Sequence, residues 1–115
     1  TLESQPKVLE AFLRATSRGW QHAKANRDQA AELLVKEYPN LKREDERVAL
    51  DVMLDYALGG LAQTQGYGAM DPAVWQQQIA TYSELGQFTA KTPKLEDVIT
   101  LDILKATAAA RMNKA

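Results

Sequence analysis

The sequence predicts a mainly α fold of four to six helices, and three observations carry that expectation. The four prolines stand at positions 6, 39, 72 and 93, each where a helix begins or has just ended. Between them, apolar residues return every three or four positions. No stretch shows the strict apolar–polar alternation of a half-buried strand.

The first helix is expected from about Pro6 to Lys24, with Ser4 as its cap and Pro6 in the first turn. Val8, Phe12, Ala15 and Gly19 recur at helical spacing, and Leu9, Leu13, Thr16 and Trp20 form the adjoining row. Together they make one wide stripe for the core, with Lys7, Glu10, Arg14, Arg18 and Gln21 on the wet side. Gly19 inside this pattern costs about 1 kcal/mol relative to Ala.

The second helix is expected from about Arg27 to Glu37, capped by Asn26 with Gln29 completing a capping box. Ala30, Leu33, Leu34 and Tyr38 face inward, and Pro39 ends it. The third runs from about Arg43 to Leu58. Val48, Ala49, Val52, Met53 and Tyr56 line one side; Leu50, Leu54, Ala57 and Leu58 line the other. A helix apolar over most of its circumference belongs between neighbours. Gly59-Gly60 stop it.

Residues 61–70 read as the one real loop. Asp71 caps the fourth helix, Pro72 takes its first position, and Trp75, Ile79 and Tyr82 form the inner face, joined by Val74 and Leu85. Gly86 suits the left-handed residue that closes it. Thr92-Pro93 opens a turn through Val98, and Asp102 caps a last short helix. One helical segment over 1–105 is expected, followed by an Ala-rich tail, 106–115, that frays for want of anything to bury. Phe12, Trp20, Leu34, Leu54, Trp75 and Ile79 are the expected core anchors.

Fourteen Lys and Arg against fifteen Asp and Glu leave a net charge of −1, which offers no basic excess for nucleic acid. Without Cys there are no disulfides, thiolate metal sites or thiol catalysis. No run of about 18 apolar residues exists to span a bilayer. The segment Thr1-Leu2-Glu3-Ser4-Gln5 has neither the basic patch nor the apolar stretch of a signal peptide.

Candidate chemistry is sparse. His22 is the only histidine, and Gln21 and Lys24 beside it give no carboxylate to orient a base. Asp51 and Asp55, four apart, share a helix face that could take a hard cation. Arg47 one turn earlier points instead to an Arg47–Asp51 ion pair. Gly66-Tyr67-Gly68 lacks the strand, the third glycine and the Lys-Ser/Thr of a phosphate loop. Trp20, Tyr56, Trp75 and Tyr82 lie on apolar stripes and read as packing. Ser4, Ser17 and Ser83 have no nucleophile-elbow context. No catalytic residue, cofactor site or metal site is expected, and the chain does not read as an enzyme.

Four stretches in order carry a resemblance: residues 6–20 (PKVLEAFLRATSRGW), Gln29-Ala30-Ala31-Glu32-Leu33-Leu34 with Tyr38-Pro39-Asn40-Leu41, Met70-Asp71-Pro72-Ala73-Val74-Trp75, and Leu95-Glu96-Asp97-Val98-Ile99-Thr100 before Ile103-Leu104. The chain resembles the carboxyl-terminal part of ABC-transporter solute-binding proteins of the thiamine-pyrimidine-precursor, sulfonate and nitrate type. It departs from their pattern at Lys42, Leu95 and Leu101-Asp102. The resemblance implies a two-lobed α/β parent that clamps a small-molecule solute between its lobes and hands it to an ABC permease. It implies a periplasmic or membrane-tethered exported protein, with both sheets and the export signal upstream of this chain. No ligand-binding residue carries over from it. A fragment of this kind is expected to associate as a homodimer. A thiamine-pyrimidine-precursor synthase of the same fold and a free-standing helical interaction module are the alternatives.

Overall fold

The computed structural model describes residues 1–112, and all regular structure among them is helical. Eight helices follow in order: α1 Pro6–Ala25, α2 Arg27–Glu37, α3 Arg43–Leu58, α4 Leu61–Gln65, α5 Pro72–Glu84, α6 Leu95–Val98, α7 Asp102–Ala106 and α8 Ala108–Arg111. This exceeds the four to six expected. The extra pieces are one-turn helices, one of them (α4) inside the segment read as a loop. Their periodicity is too short to register in a sequence pattern.

The long helices begin and end as proline and glycine placement dictates, while the caps differ. Asp71 Oδ1 accepts the Ala73 N–H at 2.9 Å, the expected cap of α5. That helix closes in a Schellman turn: Gln87 N–H reaches Tyr82 C=O at 2.9 Å and Gly86 N–H reaches Ser83 C=O at 3.0 Å, with Gly86 at φ +66°. Ser4 is not the cap of α1; Gln5 holds that position without a side-chain bond. Asn26 turns back on the preceding helix, donating from Nδ2 to the His22 carbonyl at 3.0 Å, so no capping box forms with Gln29. Asp102 is the first residue inside α7 rather than its cap, and its N–H is taken by Thr100 Oγ1 at 3.3 Å.

α2 and α3 form an antiparallel hairpin, the most extensive helix pairing of the chain. α1 touches α2 of this hairpin and receives α7 and α8, while α5 packs with α6. The expected frayed tail is corrected through residue 112. Thr107 and Arg111 are buried, and α8 lies against α1. Polar bonds rather than apolar area hold it there, which an argument from apolar content could not foresee. Residues 113–115 of that tail lie outside the described residues.

The apolar core is small: Ala31, Leu54, Leu58, Ala62 and Ile79 are its buried members. Leu54 and Ile79 are therefore placed as expected. Trp20 is half-buried, its ring tilted against that of Tyr67 with centroids 6.2 Å apart. Phe12, Leu34 and Trp75 are exposed, Phe12 at 68%, and are not core residues of this body.

Helix α1 explains the correction. Its inward side buries Glu10 and Ser17 with the Leu9, Leu13, Thr16 and Trp20 row half-buried beside them, while the apolar row of Val8, Phe12, Ala15 and Gly19 turns out to solvent. α3 behaves alike: Leu54 and Leu58 face in, whereas Val48, Val52, Met53 and Tyr56 face out. Of α5 only Ile79 is buried, although its 13 residues carry a single charged side chain, Glu84.

The shape follows. The radius of gyration is 17.4 Å over extents of 47 × 32 × 27 Å, against about 13 Å for a compact chain of this length. The accessible surface is 8348 Å², roughly 2,000 Å² above what a folded monomer of 12.8 kDa presents.

Candidate functional site

Two polar arrangements organise the surface. The first is a ladder of charges across the α2–α3 hairpin. Arg47 Nη1 lies 2.5 Å from Asp51 Oδ2, the ion pair expected from their spacing, and Arg47 Nε donates to Asp28 Oδ1 at 3.0 Å. Arg27 reaches Asp51 from the other helix, and Arg43 Nε donates to Glu32 Oε1 at 3.2 Å. The Arg47 guanidinium, and then that of Arg27, holds the Asp51 carboxyl below the usual carboxylate range. Asp51 is thus consumed by arginines, and Asp55 does not join it in a cation site. Among the described residues no three His, Cys, Asp or Glu side chains gather as a metal would require.

The second arrangement fastens the C-terminal helices. Arg111 is 3% exposed. Its Nε donates to Thr107 Oγ1 at 3.0 Å, its Nη2 to the Leu104 carbonyl at 2.8 Å and its Nη1 to the Tyr67 carbonyl. Thr107 Oγ1 in turn donates to the Ile103 carbonyl at 2.7 Å. Gln21 Nε2 bridges from α1 to Ser17 Oγ and to the Met112 carbonyl, both at 3.2 Å. Burial pushes the Arg111 guanidinium below its ordinary value, and its partners among the described residues are neutral oxygens.

Beside this clasp opens a cleft of about 300 Å³, the lower end of the range for small-molecule sites. Met70, Leu104, Ala108 and Met112 form its apolar wall, with Lys105 and Arg111 its two cations.

The other residues singled out in the sequence do not assemble. His22 is exposed, with Nδ1 3.4 Å from Asn26 Nδ2, and among the described residues no carboxylate pairs with it. Gly66 and Gly68 have φ of +86° and +76°, and a Cβ at Gly66 would meet the Arg111 backbone at 2.8 Å. That stretch is a docking turn for α8, which fits its failure to match a phosphate loop. Ser17 is wholly buried and Ser83 bonds Thr92 at 2.9 Å. Sequence reasoning missed Thr107, Arg111 and Gln21. The available signal was a Thr and an Arg one helical turn apart in an otherwise Ala-rich tail.

No helix among the described residues is long and apolar enough to cross a membrane. No model of a known family, no curated protein and no solved structure matches the chain.

Proposed function

We propose that this chain is the carboxyl-terminal helical part of the solute-binding component of an ABC importer, of the thiamine-pyrimidine-precursor, sulfonate and nitrate type. Its own work is mechanical: it braces a lobe that carries the solute, and it performs no reaction. The observation behind this reading is the outward apolar row of α1, where Val8 and Phe12 are exposed while Glu10 and Ser17 are buried. Exposed apolar rows on three helices mark a surface made to be covered. The ordered motifs over residues 6–20, 29–41, 70–75 and 95–104 favour an α/β lobe as the cover. On this reading the partners are a small-molecule solute and a permease, and the protein works outside the cytoplasmic membrane.

The outward rows count against a free-standing module, which would bury its own apolar stripes. The test is a thermal-shift series on the product of the intact reading frame, with thiamine precursors, sulfonates and nitrate. A rise in midpoint with one of them is the expected result. No rise with any, or cooperative unfolding of the 115-residue chain alone without binding of an apolar dye, overturns the proposal.

A further inference from the structure

We infer that the cleft between α4, the 66–70 turn and the α7–α8 pair binds a small aliphatic carboxylate, its head group at Lys105 and Arg111 and its tail along Met70, Leu104, Ala108 and Met112. The inference stands apart from the proposed transport role and does not depend on it.

The chemistry of the wall argues for this ligand. Its two charged groups are both cations, and neither has a carboxylate within ion-pair distance among the described residues. Arg111 is buried, and among the described residues its partners are neutral oxygens, which supply no counter-charge. A buried charge lacking its opposite is costly, and an anion arriving nearby offsets that cost. Lys105 is exposed and free to turn onto the head group. The rest of the wall is mostly apolar, and two thioether side chains shape themselves to a chain of methylenes. A bare inorganic anion would leave that wall unused, and a neutral alkane would leave the cations unanswered.

The probe is octanoate, titrated into the full chain carrying ¹³C-methyl methionine. The three methionines separate the outcomes: Met70 and Met112 line the cleft, while Met53 lies on the exposed apolar face of α3. Octanoate is expected to shift Met70 and Met112 saturably and leave Met53 in place. Octanol is expected to bind at least tenfold more weakly. Lys105→Glu should weaken octanoate about tenfold, and Ala108→Trp should abolish binding by filling the cleft. Both positions are exposed, so circular dichroism should show the fold retained. Equal shifts at all three methyls, octanol binding as tightly as octanoate, or unchanged affinity in both variants would overturn the inference.

Discussion

Arg111 and Tyr67 hold each other by two main-chain groups: Arg111 Nη1 donates to the Tyr67 carbonyl, and the Tyr67 N–H returns to the Arg111 carbonyl at 3.0 Å. Forty-four residues apart, they tie the turn after α4 to the last described helix. The Tyr67 ring also lies against that of Trp20, so the clasp reaches α1 as well. Replacing Arg111 by Met keeps the stem and removes the donors, leaving the Tyr67 and Leu104 carbonyls without that partner. The expected loss is about 2–3 kcal/mol of unfolding free energy, read by urea denaturation. Arg111→Lys, which retains a donor but not the fork, should fall between.

Gly66 tests the same junction from the other side. Its φ of +86° strains any side chain, and a Cβ there would press on the Arg111 backbone. Gly66→Ala is expected to cost more than about 1 kcal/mol. In a double-mutant cycle with Arg111→Met the two losses should sum to more than the paired variant shows, because both release one contact. Strict additivity would show the turn and the helix to be independent.

The contrast between long and short elements shows what a sequence of this kind makes legible. Pro6, Pro39 and Pro72 bound three long helices because proline acts locally, by fixing φ and withdrawing an N–H. Asp71 reads correctly as a cap for the same reason. Asn26 holds the cap position of α2 as read but makes no side-chain cap bond, its amide being turned to the His22 carbonyl across the tight link between α1 and α2. The facing of α1 was legible as a pattern but not in its direction. Periodicity shows that Phe12 and Glu10 lie on different faces, and only the neighbours decide which face this body keeps. The Arg111 clasp joins residues 67 and 111 and the cleft joins residues 64–70 to 101–112, separations no local pattern spans.

Asp51 makes the hairpin sensitive to acid. The guanidiniums of Arg47 and Arg27 lower its folded pKa below the unfolded one. Its stabilising contribution is therefore present above the ordinary carboxylate range and lost as pH falls through the lowered value, from about pH 4 downward. The thermal midpoint should drop over that interval, and Asp51→Asn should flatten the drop while lowering the plateau. Added salt should shrink the difference, because the partners are part-exposed. An unchanged profile in the variant would remove Asp51 as the cause.

The outward rows predict an unusual response to polar substitution. Phe12 and Val48 are 68% and 65% exposed, so Phe12→Ser and Val48→Ser forfeit little packing in this chain. Each should change unfolding free energy by no more than about 0.5 kcal/mol, as an ordinary surface change does. If the face exists to be covered, the same two changes should reduce apolar-dye binding and shift light scattering of the isolated chain from dimer towards monomer. A stable interface needs roughly 800 Å² from each partner, and the excess surface of this chain is larger than that. Destabilisation of 2 kcal/mol or more by either change would place these side chains in a core of the chain's own and remove the reason to look for a cover.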